Sequence, residues 1–219
     1  MANTKDGKKF EENWRDSYKS SEYYYMRLKD TAKWLKGEGS SFTPSNICDS
    51  IQHTMPFLWL LELKSTKAAS ISFNPYIEGV SSPEEKPKNK TTNVMIKANQ
   101  VKELRQAVKY QGVIAGFVVN YREHKMKTKV YENETYFIHI NDFWDFAVRT
   151  GKSSIGRKDS REIGVKIEQV KLKTNYRYKI NEFTLLATKK YCAKGYLKKE
   201  AIKKTVDWLE SLLKCAGDK

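Results

Sequence analysis

The run Phe57-Leu58-Trp59-Leu60-Leu61-Glu62-Leu63-Lys64 restricts the fold more than any other part of the chain. Its first five residues are all apolar, the pattern of a strand covered on both faces. Charge enters only near its end, at alternate positions. Alternate side chains of a strand share a face, so Glu62 and Lys64 point one way and Leu61 and Leu63 the other. Taken alone, the pair is an ordinary strand-end ion pair, costly to desolvate.

The segments around this strand set an α/β order. Phe10, Trp14 and Tyr18 recur at four-residue spacing and predict a helix over 5–20. Extended structure is expected at 23–28 and 47–51. A helix follows at 98–110, with Val101, Leu104 and Val108 on one face, then a buried strand at 112–120. A hairpin or polar loop at 121–133, a strand at 136–140 and a short helix at 141–149 come next. This order suggests a mixed sheet flanked by helices. Residues 29–46 read as an exposed excursion or short projecting arm, and 78–97 as a mobile loop rich in Pro, Glu and Lys. Residues 151–180 read as basic and irregular. A C-terminal amphipathic helix is expected at 196–215, with Leu197, Ile202, Val206, Leu209 and Leu213 inward. The domain reading is a main unit at 1–183 and a helical extension at 184–219.

Charge narrows the partners. The chain carries 41 Lys+Arg against 26 Asp+Glu, a formal net charge of +15. Phosphate neutralisation makes nucleic acid the natural partner for such a surplus. The rival, an acidic membrane surface, lacks a basic amphipathic helix joined to a lipid-anchor motif. Cys48, Cys192 and Cys215 form no C-x-x-C pair, so neither a zinc ribbon nor a disulfide framework is indicated. No apolar signal core opens the chain and no run is long enough to span a bilayer, so a cytoplasmic protein in a reducing compartment is expected.

Asp49 gives the Glu62–Lys64 pair a chemical meaning. If 47–51 and 57–64 are antiparallel neighbours, Asp49 comes beside Glu62. Two carboxylates that close repel each other unless a divalent cation lies between them. Magnesium accepts a few protein oxygens and keeps several waters, and the Leu63 carbonyl offers one more oxygen. Such an ion polarises a phosphodiester and acidifies a bound water. Lys64 is placed to orient that water or to stabilise charge growing on phosphorus. Manganese would be an acceptable substitute for magnesium.

Several motifs in fixed order extend this reading. Gly7-Lys8-Lys9-Phe10-Glu11-Glu12, Asp49, Glu62, Lys64 and Thr66, Ser72-Phe73, Asn99-Gln100, the strand at 112–119 and Gly151-Lys152-Ser153-Ser154-Ile155 with Arg157-Lys158-Asp159 occur in that sequence. Together they resemble the RecU Holliday-junction resolvases, a branch of the PD-(D/E)xK nuclease superfamily. The resemblance covers about residues 7–183. It implies a restriction-endonuclease-like fold and a homodimer on a four-way DNA junction. It also implies a magnesium site in each subunit and paired nicks, in recombination and repair. The arm at 29–46 is shorter than that family's stalk, the 78–97 loop is longer, and Cys48 stands where a threonine is common. The compact form looks like a bacteriophage or mobile-element version.

Other residues carry two readings each. Glu11 either completes the metal site or is a solvated glutamate near a helix start. Gln100 either supports the lysine or water, or is a surface residue. His53, His124 and His139 show no ligand spacing. Trp34, between Lys33 and Lys36, is suited to stack on unpaired bases, or it packs back on the domain. Lys152, Arg157, Lys158 and Arg161 are the main phosphate-contact candidates, with Thr66 and Lys67 beside the site. The competing functions are a nuclease of this fold with another DNA target, and a non-enzymatic DNA- or RNA-binding protein.

Overall fold

The computed structural model describes residues 4–28, 46–85, 93–125 and 130–197, together with 207, 210 and 211. Helix α1 (Thr4–Ser17) ends in a 3-10 turn at Tyr18–Ser20. Strands β1 (Tyr24–Arg27), β2 (Ser50–Thr54), β3 (Phe57–Thr66) and β4 (Ser70–Ser72) follow, then α2 (Ala98–Ala107) and β5 (Val113–Tyr121). A small ribbon, β6 (His124–Lys125) and β7 (Val130–Tyr131), leads to β8 (Glu134–His139) and α3 (Ile140–Thr150). The chain continues through β9 (Ser154–Gly156), α4 (Arg157–Ile163), β10 (Val165–Lys166), β11 (Gln169–Lys171), β12 (Tyr176–Tyr178) and α5 (Ile180–Ala193).

The main sheet has the order β1-β2-β3-β5-β8-β10. Only β3 and β5 run parallel, and α2 lies in the crossover between them. This is the mixed sheet flanked by helices that the element order predicted.

The central strand β3 decides what lies on each face. Phe57, Trp59, Leu61 and Leu63 join the core that holds Phe10 and Trp14 of α1 and Phe183, Ala187 and Tyr191 of α5. Leu60 joins the opposite core, with Val101 and Leu104 of α2 and Phe143 and Phe146 of α3. Glu62 and Lys64 share the parity of Leu60 and therefore face the α2 side. Next to β3, Gly116 is required by close approach: a Cβ there would sit 2.2 Å from the Ile138 carbonyl oxygen of β8.

One expectation needs correction. Residues 151–180 are ordered, not irregular. Their elements are short, so no periodic signal accumulates, and tertiary partners hold them. Strand β9 pairs with β4, and the Tyr121 hydroxyl bonds both the Ile155 carbonyl at 2.9 Å and Ser160 Oγ at 2.8 Å.

A boundary at residue 183 falls inside α5, whose buried face runs through Ile180, Phe183, Thr184, Ala187, Thr188 and Tyr191. The helical spacing is regular, but two of those positions are threonines, which hid the stripe. Thr184 is kept inside by a bond to the Ile180 carbonyl at 2.8 Å and another from Gln52 Nε2 at 3.0 Å. Of the helix expected at 196–215, Leu197 is buried; Ile202, Val206, Leu209 and Leu213 lie outside the described residues.

The described flanks of the 78–97 loop are tied down. Ile77 bridges Ser81, Asn74 donates to the Glu85 carbonyl, Arg105 pairs with Glu84, and Met95 and Ile96 bond to Ser72. The projecting arm, with Lys33, Trp34 and Lys36, lies outside the described residues.

Candidate active site

Register brings Asp49 to the site. Strands β2 and β3 are antiparallel with Ser50 opposite Leu61, which puts Asp49 one step beyond β2 and opposite Glu62. The Leu63 amide donates to Asp49 Oδ2 at 2.7 Å. Within a strand, the amide and carbonyl of one residue point to the same side. The Leu63 carbonyl is therefore directed toward the edge where Asp49 stands.

Glu62 is 3% exposed and is the most confined charge of the group. Its Oε1 accepts from Lys64 Nζ at 2.9 Å. The same oxygen accepts from the Gln100 side-chain amide, which reaches down from the first turn of α2. Gln100 Oε1 meanwhile caps that turn by accepting the Lys97 amide at 2.9 Å. Gln100 thus bridges the helix start and the carboxylate, so the reading of a free surface glutamine does not hold. Burial pushes the Glu62 carboxyl up to about 7; Lys64 opposes the shift and the neighbouring Asp49 adds to it.

The donor set fits a hard cation. It consists of two facing carboxylates and a backbone carbonyl, all oxygen, with a lysine alongside. Among the described residues no cluster of three or more His, Cys, Asp or Glu side chains exists that would hold a metal. Two carboxylates leave room for coordinated water, which suits magnesium.

The remaining candidates divide. Glu11 pairs with Arg27 on the β1 edge. Both Glu11 and Asp49 raise the Tyr25 hydroxyl, after the larger effect of its burial, so the three share a neighbourhood. Thr66 is buried, and its hydroxyl accepts the Ala68 amide at 2.9 Å, closing the turn after β3. Lys67 is exposed just beyond.

Lys152 pairs with Asp159 at 2.7 Å, and Arg161 pairs with Glu134 at 3.2 Å; both remain largely exposed. Lys158 is exposed. Arg157 is different. It donates to the Glu132 and Arg122 carbonyls at 2.7 and 2.9 Å and lies over the Tyr121 and Tyr131 rings. That geometry makes it a brace between loops. Gly151 ends α3 in the left-handed conformation, at φ 59°, which accounts for the Gly-Lys-Ser run without a phosphate loop.

Two neighbours had no signal in the spacing. Cys48 is buried beside the carboxylates, its thiol donating to the Ser50 carbonyl at 3.2 Å; burial, with Glu62 nearby, pushes it up to about 12, far from a nucleophile. Ser65 donates to Asn120 Oδ1 at 3.0 Å, locking the ends of β3 and β5 together. Of the histidines, His53 is exposed on β2, His124 stacks on Tyr131, and His139 is buried at the start of α3.

The chain is 30% identical over 194 residues to the SPbeta prophage-derived uncharacterized protein YotM of Bacillus subtilis (strain 168), covering 83% of this chain and 86% of that protein. No family model matches. Among solved structures, a similar chain is Hjc of Archaeoglobus fulgidus, described as a Holliday junction resolvase from an archaeal hyperthermophile. It has 14% identity and a TM-score of 0.42, over 73% of this chain and 95% of that one.

Proposed function

The chain belongs to the family of the prophage-derived protein YotM, and within that family we propose that it is a magnesium-dependent DNA endonuclease. One observation carries this reading. Asp49, Glu62 and Lys64 meet at one sheet position, with a buried carboxylate held by Lys64 and Gln100. That is the arrangement a PD-(D/E)xK nuclease uses, on a mixed sheet of matching type. The formal charge of +15 supports a polyanionic substrate.

Asp49, Glu62 and the Leu63 carbonyl would hold the cation. When bound, it would supply Lewis acidity toward the scissile phosphate and acidify water. The chain's own groups do the rest. The Leu63 amide fixes Asp49, and Gln100 fixes Glu62. Lys64 holds its ammonium at the carboxylate edge, where it can hydrogen-bond an incoming water or the phosphoryl oxygens as their charge grows. Hydrolysis forms one bond from water oxygen to phosphorus and breaks one ester P–O bond. The departing oxygen takes up a proton.

The finer reading is a phage-borne, cytoplasmic, homodimeric enzyme that resolves Holliday junctions. Its support is the ordered set of RecU-like motifs. A nuclease of the same fold acting on flapped or nicked duplex is the second reading, favoured by the shortness of the 29–46 arm. Among the described residues no helix is long and apolar enough to cross a membrane.

The test compares DNA cleavage and DNA binding in Lys64→Ala and Asp49→Asn. Both should lose magnesium-dependent cleavage by at least about a hundredfold and keep salt-sensitive binding. Unchanged cleavage in both would remove the site. A wild-type protein that binds DNA and never cuts it would leave a binding module.

A further inference from the structure

We infer that a cleft beside the active site receives one unpaired nucleotide of a DNA strand, phosphate and base together. The cleft encloses about 390 Å3 between α1, the ends of β3 and β5, and the β11–β12 ribbon. That volume falls in the range of small-molecule sites, roughly 300–1,000 Å3, and is more than a bare phosphate fills.

The rim is cationic. Lys9, Lys67, Lys171 and Lys173 line it and are exposed. The single acidic residue in the lining, Glu123, is held by Lys171 at 2.6 Å. Among the described residues Lys9 and Lys173 form no ion pair, so positive charge remains for a phosphate.

The interior is built from amides and rings. Asn120 is fully engaged. Its Nδ2 donates to Asn133 Oδ1 at 3.0 Å and to Thr135 Oγ1 at 2.9 Å, and its Oδ1 accepts from Ser65. Asn133 in turn donates to Gln169 at 2.8 Å. This network makes a fixed floor.

Asn13 is the exception. It is 6% exposed as a whole residue and lines the cleft; its side-chain amide makes no hydrogen bond among the described residues and is not one of the buried unpaired groups, so it meets solvent in the cleft. An amide open to the cleft and unengaged by the protein is available to bond a ligand there. An amide presents donor and acceptor side by side, the pairing that matches a base edge. Tyr176, half-buried beside Phe10 and Tyr178, supplies an aromatic wall for a planar ring.

Position ties the cleft to the cut strand. Lys67 follows Lys64 by three residues, about 10 Å along an extended chain. A strand passing the carboxylates therefore comes within reach of the rim. A base stacked in a duplex cannot enter, so the cleft favours branched, flapped or distorted DNA. This placement on the substrate rests on the nuclease reading; binding of a nucleotide does not.

The experiment titrates deoxyadenosine monophosphate, deoxyadenosine and inorganic phosphate separately into metal-free protein by calorimetry. The monophosphate should bind, with nucleoside and phosphate each at least about tenfold weaker. Asn13→Leu and, on the exposed ribbon, Lys173→Glu should each weaken it about fivefold or more, and Glu62→Gln should leave it unchanged. The Lys173→Glu variant keeps the test valid if Asn13→Leu fails to fold. No monophosphate binding would overturn the inference, as would binding that Lys173→Glu leaves intact, or phosphate binding as strong as that of the nucleotide. Nucleotide binding as expected, in a protein that cuts no DNA, would support the cleft and sink only the nuclease reading.

Discussion

Gln100 of α2 donates its side-chain amide to Glu62 Oε1, the same oxygen that accepts from Lys64. The helix on one face of the sheet therefore holds the carboxylate of the central strand in place. Residues that orient a metal-binding carboxylate typically change activity by about 10–100-fold when removed. Gln100→Ala should lower cleavage by that order and raise the magnesium concentration needed for half-maximal rate. Rescue by a higher magnesium concentration would mark Gln100 as a positioning residue. An unchanged magnesium requirement would show that its bond to Glu62 is incidental.

Glu62 should weaken the fold that it equips for chemistry. Its folded-state pKa, about 7, lies above the ordinary 4.5. The native state therefore binds the proton more tightly than the unfolded chain, and stability falls as pH rises from 4.5 through 7. Glu62→Gln removes this titration and keeps an acceptor for Lys64. Above about pH 7 it should be more stable than wild type by on the order of 1–3 kcal/mol, and the difference should vanish near about pH 4. Thermal unfolding at the two pH values measures it. A variant less stable than wild type at the higher pH would mean that the Lys64 ion pair outweighs burial.

His139 sets the opposite trend in acid. Burial lowers it from 6.5 to about 4, and its Nδ1 accepts the Asn141 amide at 3.2 Å to cap α3. The unfolded chain takes up the proton first. Stability is then full above 6.5 and declines as pH falls toward 4, by up to about 3 kcal/mol. His139→Asn keeps a capping acceptor and should flatten that part of the pH–stability curve. A curve of unchanged slope would place the acid sensitivity elsewhere.

Arg157 and Lys158 are neighbours with separable roles. Arg157→Ala leaves two carbonyls without their donor and should cost about 1–3 kcal/mol. Lys158→Ala should leave stability within about 0.5 kcal/mol. It should also weaken DNA binding and lower the salt slope by about one. Denaturant titration and binding at several salt concentrations distinguish them. Equal loss of DNA affinity with no loss of stability in Arg157→Ala would contradict the brace.

Much of this arrangement could be read in the chain because it depends on short-range rules. The apolar run at 57–61 fixed a central strand, and parity alone put Glu62 and Lys64 on one face. Antiparallel pairing of the preceding segment then brought Asp49 opposite Glu62. What could not be read depends on tertiary partners. Thr184 faces inward on α5 because Gln52 and the Ile180 carbonyl satisfy its hydroxyl, and Thr188 is buried on the same face, which no apolar pattern reveals. The two- to seven-residue elements between 154 and 178 are too short to be periodic. The inward turn of Arg157 depends on carbonyls about 25 and 35 positions away, so its charge looked like a surface contact. The resemblance suggested a role for Gln100, but only the packing of α2 over β3 shows that its partner is Glu62.

The most direct measurement of the central claim is cleavage of a synthetic four-way junction, beside linear duplex of the same sequence, by wild type and Glu62→Ala with and without magnesium. The account predicts magnesium-dependent nicking by wild type and none by Glu62→Ala, with paired nicks confined to the junction if the resolvase reading holds. Cutting that persists in Glu62→Ala, or tight salt-sensitive binding with no cutting by wild type under any metal, would contradict it and leave Glu62 and Lys64 as a buried ion pair.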